Sequence, residues 1–128
     1  MEEEFKNAIL EGDLNKVREC LKNGVDPNKE YLVKYEYGIN STEIPYYPIQ
    51  LASQYGHLEI VKLLLNDNRV DPCVEDNYSI KMASLYAHRD IIRELLTNKK
   101  VRDSLRKEDI KGLIEKEYKL FKLKKLNI

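Results

Sequence analysis

The sequence predicts an all-α solenoid of about three helix-turn-helix repeats, lengthened by one β-hairpin and closed by a C-terminal helix. Three observations carry that expectation. Laid on itself, the chain superimposes "AILEGDLNKVRECL" (Ala8–Leu21), "ASQYGHLEIVKLLL" (Ala52–Leu65) and "ASLYAHRDIIRELL" (Ala83–Leu96) without gaps, and self-similarity of this kind is the signature of stacked supersecondary units. Within each copy, apolar residues recur at helical spacing, as in Val17, Cys20 and Leu21 and again in Val61, Leu64 and Leu65. Glycine or alanine (Gly12, Gly56, Ala87) then falls between the two halves of each copy, where a tight reversal needs a residue that accepts the left-handed conformation.

The elements follow in order. "MEEE" places three acids at the start of the first helix, where the helix dipole favours them, and the first repeat, about residues 5–30, serves as an N-terminal cap. Pro27 and Pro72, in the matching "VDPN" and "VDPC", cannot continue a helix, so an extended turn is expected after each. Between the first and second repeats lies "YLVKYEYGINSTEIPYY" (Tyr31–Tyr47), which holds five of the nine tyrosines. Leu32, Lys34 and Glu36 alternate there with Val33, Tyr35 and Tyr37, which is strand period. "GINS" supplies a turn, so residues 31–46 read as a hairpin. The second repeat spans about 47–76 and the third about 77–103. A cap follows at about 104–126, with Ile110, Leu113, Ile114, Tyr118 and Phe121 on one stripe. One domain of 1–128 results, because a single helix pair cannot bury its apolar face and stacked neighbours can.

"LASQYGHLEIVKLLL" resembles the ankyrin repeat, whose usual form is Thr-Pro-Leu-His-x-Ala-Ala followed by Gly-His-x-x-x-Val-x-x-Leu-Leu. Residues 47–72 match closely, and 5–28 and 78–101 more loosely. The chain departs from the pattern at "YPIQ" (Tyr47–Gln50) and "YSIK" (Tyr78–Lys81), and the finger before Tyr78 is about two residues short. "VDPCVEDNYSIKMAS" is similar to the variant common in ankyrin proteins of giant DNA viruses. The resemblance implies a non-catalytic module that binds a protein partner, as a monomer or weak dimer. It places the residues before each Gly-His on a concave groove: Leu10 and Glu11, Gln54 and Tyr55, Leu85 and Tyr86.

Tyrosine offers a large, rigid contact area with a hydroxyl. The expected partner-binding set is therefore Tyr31, Tyr35, Tyr37, Tyr46, Gln54, Tyr55, Tyr78, Leu85 and Tyr86, with packing over the end of the first repeat as the competing role for the hairpin tyrosines. Tyr47, beside Pro48, reads as structural. His57 and His88 share one column of the repeat and read as architecture, and Cys20 falls in the apolar Leu64/Leu95 column.

Charge sets out the alternative. Formal net charge is zero, yet residues 1–30 carry 8 acids against 5 bases, 31–76 carry 7 against 3, and 77–128 carry 7 against 14. Lys111, Lys119, Lys122, Lys124 and Lys125 flank the final apolar stripe and form a basic surface suited to nucleic acid or anionic membrane. A charged outer face on a capping helix accounts for the same lysines. No nucleophile sits beside a base, no His/Cys spacing suits zinc, and no glycine loop could cradle phosphate, so neither enzyme activity nor a cofactor or metal is expected. With no run near the roughly 20 apolar residues that span a bilayer and an acidic N-terminus, the expected compartment is cytoplasmic (the host cytoplasm on the viral resemblance).

Overall fold

A computed structural model describes residues 1–109, 111–113 and 115. Six helices pair in sequence: α1 (Glu2–Glu11) with α2 (Leu14–Lys22), α3 (Pro48–Gln54) with α4 (Leu58–Leu65), and α5 (Val74–Leu85) with α6 (Arg89–Leu96). The first members pack serially, α1 on α3 on α5, and the second members form a parallel row, α2 on α4 on α6. A short α7 (Lys99–Ser104) docks on α6. Helices of 7 to 12 residues are marginal alone in water, so burial between neighbours holds them.

The repeated columns have a common cause. In each repeat the N–H of the residue just before the second helix reaches back to the alanine carbonyl: Asp13 to Ala8 at 2.9 Å, His57 to Ala52 at 3.0 Å, His88 to Ala83 at 2.8 Å. Closing that loop needs a left-handed residue between, met by Gly12 (φ 75°), Gly56 (φ 77°) and Ala87 (φ 59°). The alanines are buried where the paired helices meet. Val17, Val61 and Ile92, with Leu64 and Leu95, form the continuous core beneath them, and Cys20 joins it as a small apolar group whose burial raises its thiol pKa.

Histidine locks one repeat onto the one before. The Nε2–H of His57 donates to the Leu10 carbonyl at 3.1 Å, and that of His88 to the Gln54 carbonyl at 3.0 Å. Each ring lies over the preceding glycine so closely that an added Cβ on Gly12 would stand 2.8 Å from His57, and one on Gly56 2.7 Å from His88. The first repeat carries Asp13 in that column instead, and its carboxylate caps α2 by accepting from the Lys16 N–H at 3.1 Å. On the opposite edge, Arg69 holds Asp67 through Nε and Nη2 (3.0 and 2.7 Å), lowering the carboxyl pKa, and donates to the Val25 carbonyl. Asn28 Oδ1 accepts from the Asp71 N–H at 2.9 Å, so the two Asp-Pro turns are tied directly.

The finger is an antiparallel hairpin of β1 (Tyr31–Tyr37) and β2 (Asn40–Tyr46), with Tyr31 opposite Tyr46 and Tyr37 opposite Asn40. Its two-residue turn puts Gly38 at φ 60° in the first central position, the place where hairpin turns of this length accept glycine.

One expectation needs correction. The chain after Pro72 is not extended: Glu75, Asp76 and Asn77 all take the left-handed conformation (φ 54°, 55° and 61°). The connection is too short for a hairpin, so three residues coil left-handedly and deliver Tyr78 into the regular part of α5. Asn77 is buried there and its Nδ2 donates to Ser104 Oγ at 2.9 Å. The third repeat, expected to end at about residue 103, runs on into α7, which occupies Lys99–Ser104. Of the capping stripe, Leu113 packs against the core, while Ile110, Ile114, Tyr118 and Phe121 lie outside the described residues.

Replacing Gly12 by Ala should destabilise the fold by about 2–3 kcal/mol, whereas Gly24→Ala, also at positive φ (93°) but with nothing within 4 Å, should cost only the backbone strain of about 1 kcal/mol. In a His57→Ala background the Gly12→Ala cost should fall to the Gly24→Ala value. Urea unfolding of these variants checks the cycle, and equal costs in both backgrounds would remove the ring-over-glycine contact as the cause.

Candidate functional site

The hairpin tyrosines divide by position. Tyr31 and Tyr46, directly opposite at the base of the finger, are buried. The Tyr31 ring meets Phe5 edge-on at 5.6 Å, its hydroxyl donates to the Asp26 carbonyl at 2.7 Å, and Lys29 Nζ lies 5.5 Å from the ring centre. Both side chains belong to the buried core cluster, which fits the packing role weighed against partner binding for the hairpin tyrosines. Strand alternation puts Tyr35 and Tyr37 on the same face, further from the base. Tyr35 is half-buried, and Tyr37 is 62% exposed.

Tyr35 connects the finger to the helices. Its hydroxyl is 3.4 Å from that of Tyr46 and 3.0 Å from that of Tyr55, the residue that ends α3. With the Tyr35 proton directed at Tyr46, Tyr55 is the donor to Tyr35. Burial, followed by these hydrogen bonds, raises the Tyr35 pKa well above the ordinary phenol value. Beyond Tyr55 (39% exposed), the face continues to the end of α5, where Leu85 and Tyr86 are exposed, with Tyr86 stacked 6.3 Å from His88. Gln54 is half-buried, and its carbonyl is held by His88.

Tyr78 directly follows the left-handed run of Glu75–Asn77. It helps line a cavity of about 290 Å³ between the base of the hairpin and the left-handed turn, together with Ile44, Tyr46, Gln50, Glu30 and Glu75. The reading from sequence missed Gln50, Glu30 and Glu75. The departure at "YPIQ", which puts Gln50 where the ankyrin pattern has histidine, was the available signal for the first; the other two meet only through the fold. A larger cavity of about 640 Å³, between α5 and residues 104–113, is lined by no aromatic side chain among the described residues.

Lys111 is exposed in a helical segment, and Lys119, Lys122, Lys124 and Lys125 lie outside the described residues. Among the described residues no cluster of three His, Cys, Asp or Glu side chains could hold a metal ion, and no helix is long and apolar enough to cross a membrane.

Residues 5–105 match the family model for ankyrin repeats in three copies. The chain belongs to the ankyrin-repeat family. Ankyrin repeats are generic protein–protein interaction modules, a family of binding rather than catalytic domains. Comparison with curated proteins and with solved structures gives no match.

The buried Tyr31 hydroxyl makes stability depend on alkaline pH. Burial, with Glu2 and Asp26 nearby, pushes its pKa from the ordinary 10.0 up to about 12. The folded state therefore holds a proton that the unfolded chain releases, and the stability this represents is complete below about pH 10 and lost as pH rises towards 12. Urea midpoints measured across that window should fall less steeply in Tyr31→Phe than in the wild type, and at neutral pH the variant should be weaker by about 1 kcal/mol for the lost hydrogen bond. Parallel pH profiles would show that another group governs the alkaline limb.

Proposed function

We propose that this protein binds a protein partner without catalysis, through the groove formed by Gln54, Tyr55, Leu85 and Tyr86 and through the exposed part of the finger. The observation that carries this reading is the hydroxyl contact between Tyr35 and Tyr55. It joins finger and groove into one aromatic face, so a loop or helix entering the groove would meet Tyr37 and the fully exposed Ile39 at its side. Exposed rigid aromatics are characteristic of binding hot spots, and the solenoid arrangement sets them one repeat apart. Tyr78 extends the surface beyond the finger. The similarity of "VDPCVEDNYSIKMAS" to giant-virus ankyrins suggests a host protein as the partner.

The second reading, attachment of residues 99–128 to nucleic acid or anionic membrane, rests on charge: 11 bases against 5 acids. It predicts binding that weakens steeply with salt and ignores the tyrosines.

Affinity capture separates the two. Wild type, Tyr55→Ser/Tyr86→Ser and Lys119→Glu/Lys122→Glu/Lys125→Glu are compared as baits after each is shown to fold. The expected result is a protein recovered by wild type and by the lysine variant, and lost, at least tenfold in yield, with the tyrosine variant. Loss with the lysine variant alone would move the function to the C-terminal segment.

A further inference from the structure

We infer that the cavity between the finger and the left-handed turn is a subsite for an arginine or lysine of the bound partner, with the partner's adjacent backbone carbonyl accepting from Gln50. The inference deepens the groove-and-finger reading and rests on it, because Tyr46, which lines this cavity, meets Tyr35 of that face hydroxyl to hydroxyl at 3.4 Å.

Gln50 carries the first half. It is 2% exposed, and its Oε1 accepts from the Tyr47 N–H at 2.9 Å. That bond fixes which end of the amide is which, since a backbone N–H needs an acceptor. The Nε2 group is therefore the free end, and it is buried with no hydrogen-bond partner. An amide donor left unpaired in this way is unfavourable, a penalty relieved by any acceptor entering the cavity that Gln50 lines. A peptide carbonyl is such an acceptor.

The second half is charge. Glu30 and Glu75 line the same cavity from opposite sources, one leading into β1 and the other from the left-handed turn. Among the described residues neither forms an ion pair, although Lys29 pairs with Glu2 and Lys81 with Asp76 beside them. Two carboxylates lining one cavity with the Tyr78 and Tyr46 side chains suit a cation on an apolar stem, which is what arginine and lysine provide. Phosphates and acidic peptides would be repelled. A metal ion is disfavoured by the same geometry, because the amide end presented is a donor with no lone pair to give and only two carboxylates remain.

Glu75 is displayed by three consecutive non-glycine residues in the left-handed conformation. Such backbone is held in place only where its surroundings over-determine it, and here it turns a connection too short for a second finger into the far wall of the cavity.

The test is an NMR titration of the ¹⁵N-labelled full chain with acetyl-Ala-Arg-Ala-amide, and separately with the citrulline peptide, its neutral isostere. The expected result is saturable shifts at the Gln50 side-chain amide and at residues 30, 75 and 78 with the arginine peptide. Affinity should fall about fivefold with citrulline and by a similar factor in Glu30→Gln/Glu75→Gln, as loss of two exposed charge contacts implies. Both glutamates are exposed, so the variant keeps its fold, which its own spectrum verifies. No saturable shift at these residues, or equal binding of the two peptides, overturns the subsite. If the subsite fails while Tyr55→Ser/Tyr86→Ser still abolishes partner capture, the groove reading stands alone. If capture ignores the tyrosines, the broader reading has failed.

Discussion

The structure depends on the seat of one side chain, a histidine of one repeat resting on the glycine of the repeat before it. The paired helices are too short to persist alone, and their apolar faces would accept several sliding registers. The rings of His57 and His88 remove that freedom. Each fits only over a residue without a Cβ and, from that position, reaches the carbonyl two residues earlier. The glycine thus serves two requirements at once, a left-handed backbone for its own repeat and an empty surface for the next. Arg69 and the Asn28–Asp71 link fix the opposite edge between the first and second repeats, so these two are held along two lines and the core between them has one way to close.

The placement of the aromatic face follows from that register. Tyr55 ends α3 at a position set by the His57 and His88 contacts on either side. The finger is held at its base by Tyr31 against Phe5 and part-way along by Tyr35 against Tyr55. Only its outer portion, from Tyr37 through Ile39, stands clear. Five tyrosines in one stretch therefore do two jobs. Those nearest the helices anchor the hairpin, and those beyond are presented by it.

The repeats were legible because their signals are local and recur: alanine, glycine and the Val/Leu columns each report a backbone bond or a core contact made within one unit. The hairpin was legible from its alternation and from glycine at the turn. Which tyrosines would be buried was not. Tyr31 and Tyr37 share a chemistry and a strand, and they differ only in whether Phe5, far away in sequence, lies beneath them. The left-handed run at Glu75–Asn77 was hidden for another reason. None of the three residues is glycine, and the conformation is imposed by a connection too short for anything else, with Asn77 drawn inward to Ser104. The cavity around Gln50 joins three segments distant in sequence, and no single stretch announces it.

Ala87 occupies the column of Gly12 and Gly56 and carries the methyl group they lack, while keeping their left-handed backbone. That methyl gives the array a direction. A unit copied from the second repeat could follow the first or the second repeat and find a seat for its imidazole over Gly12 or Gly56. The same unit appended after the third repeat would meet a Cβ where the ring must go. Placing a unit with that histidine directly on the third repeat therefore requires a change at residue 87 first.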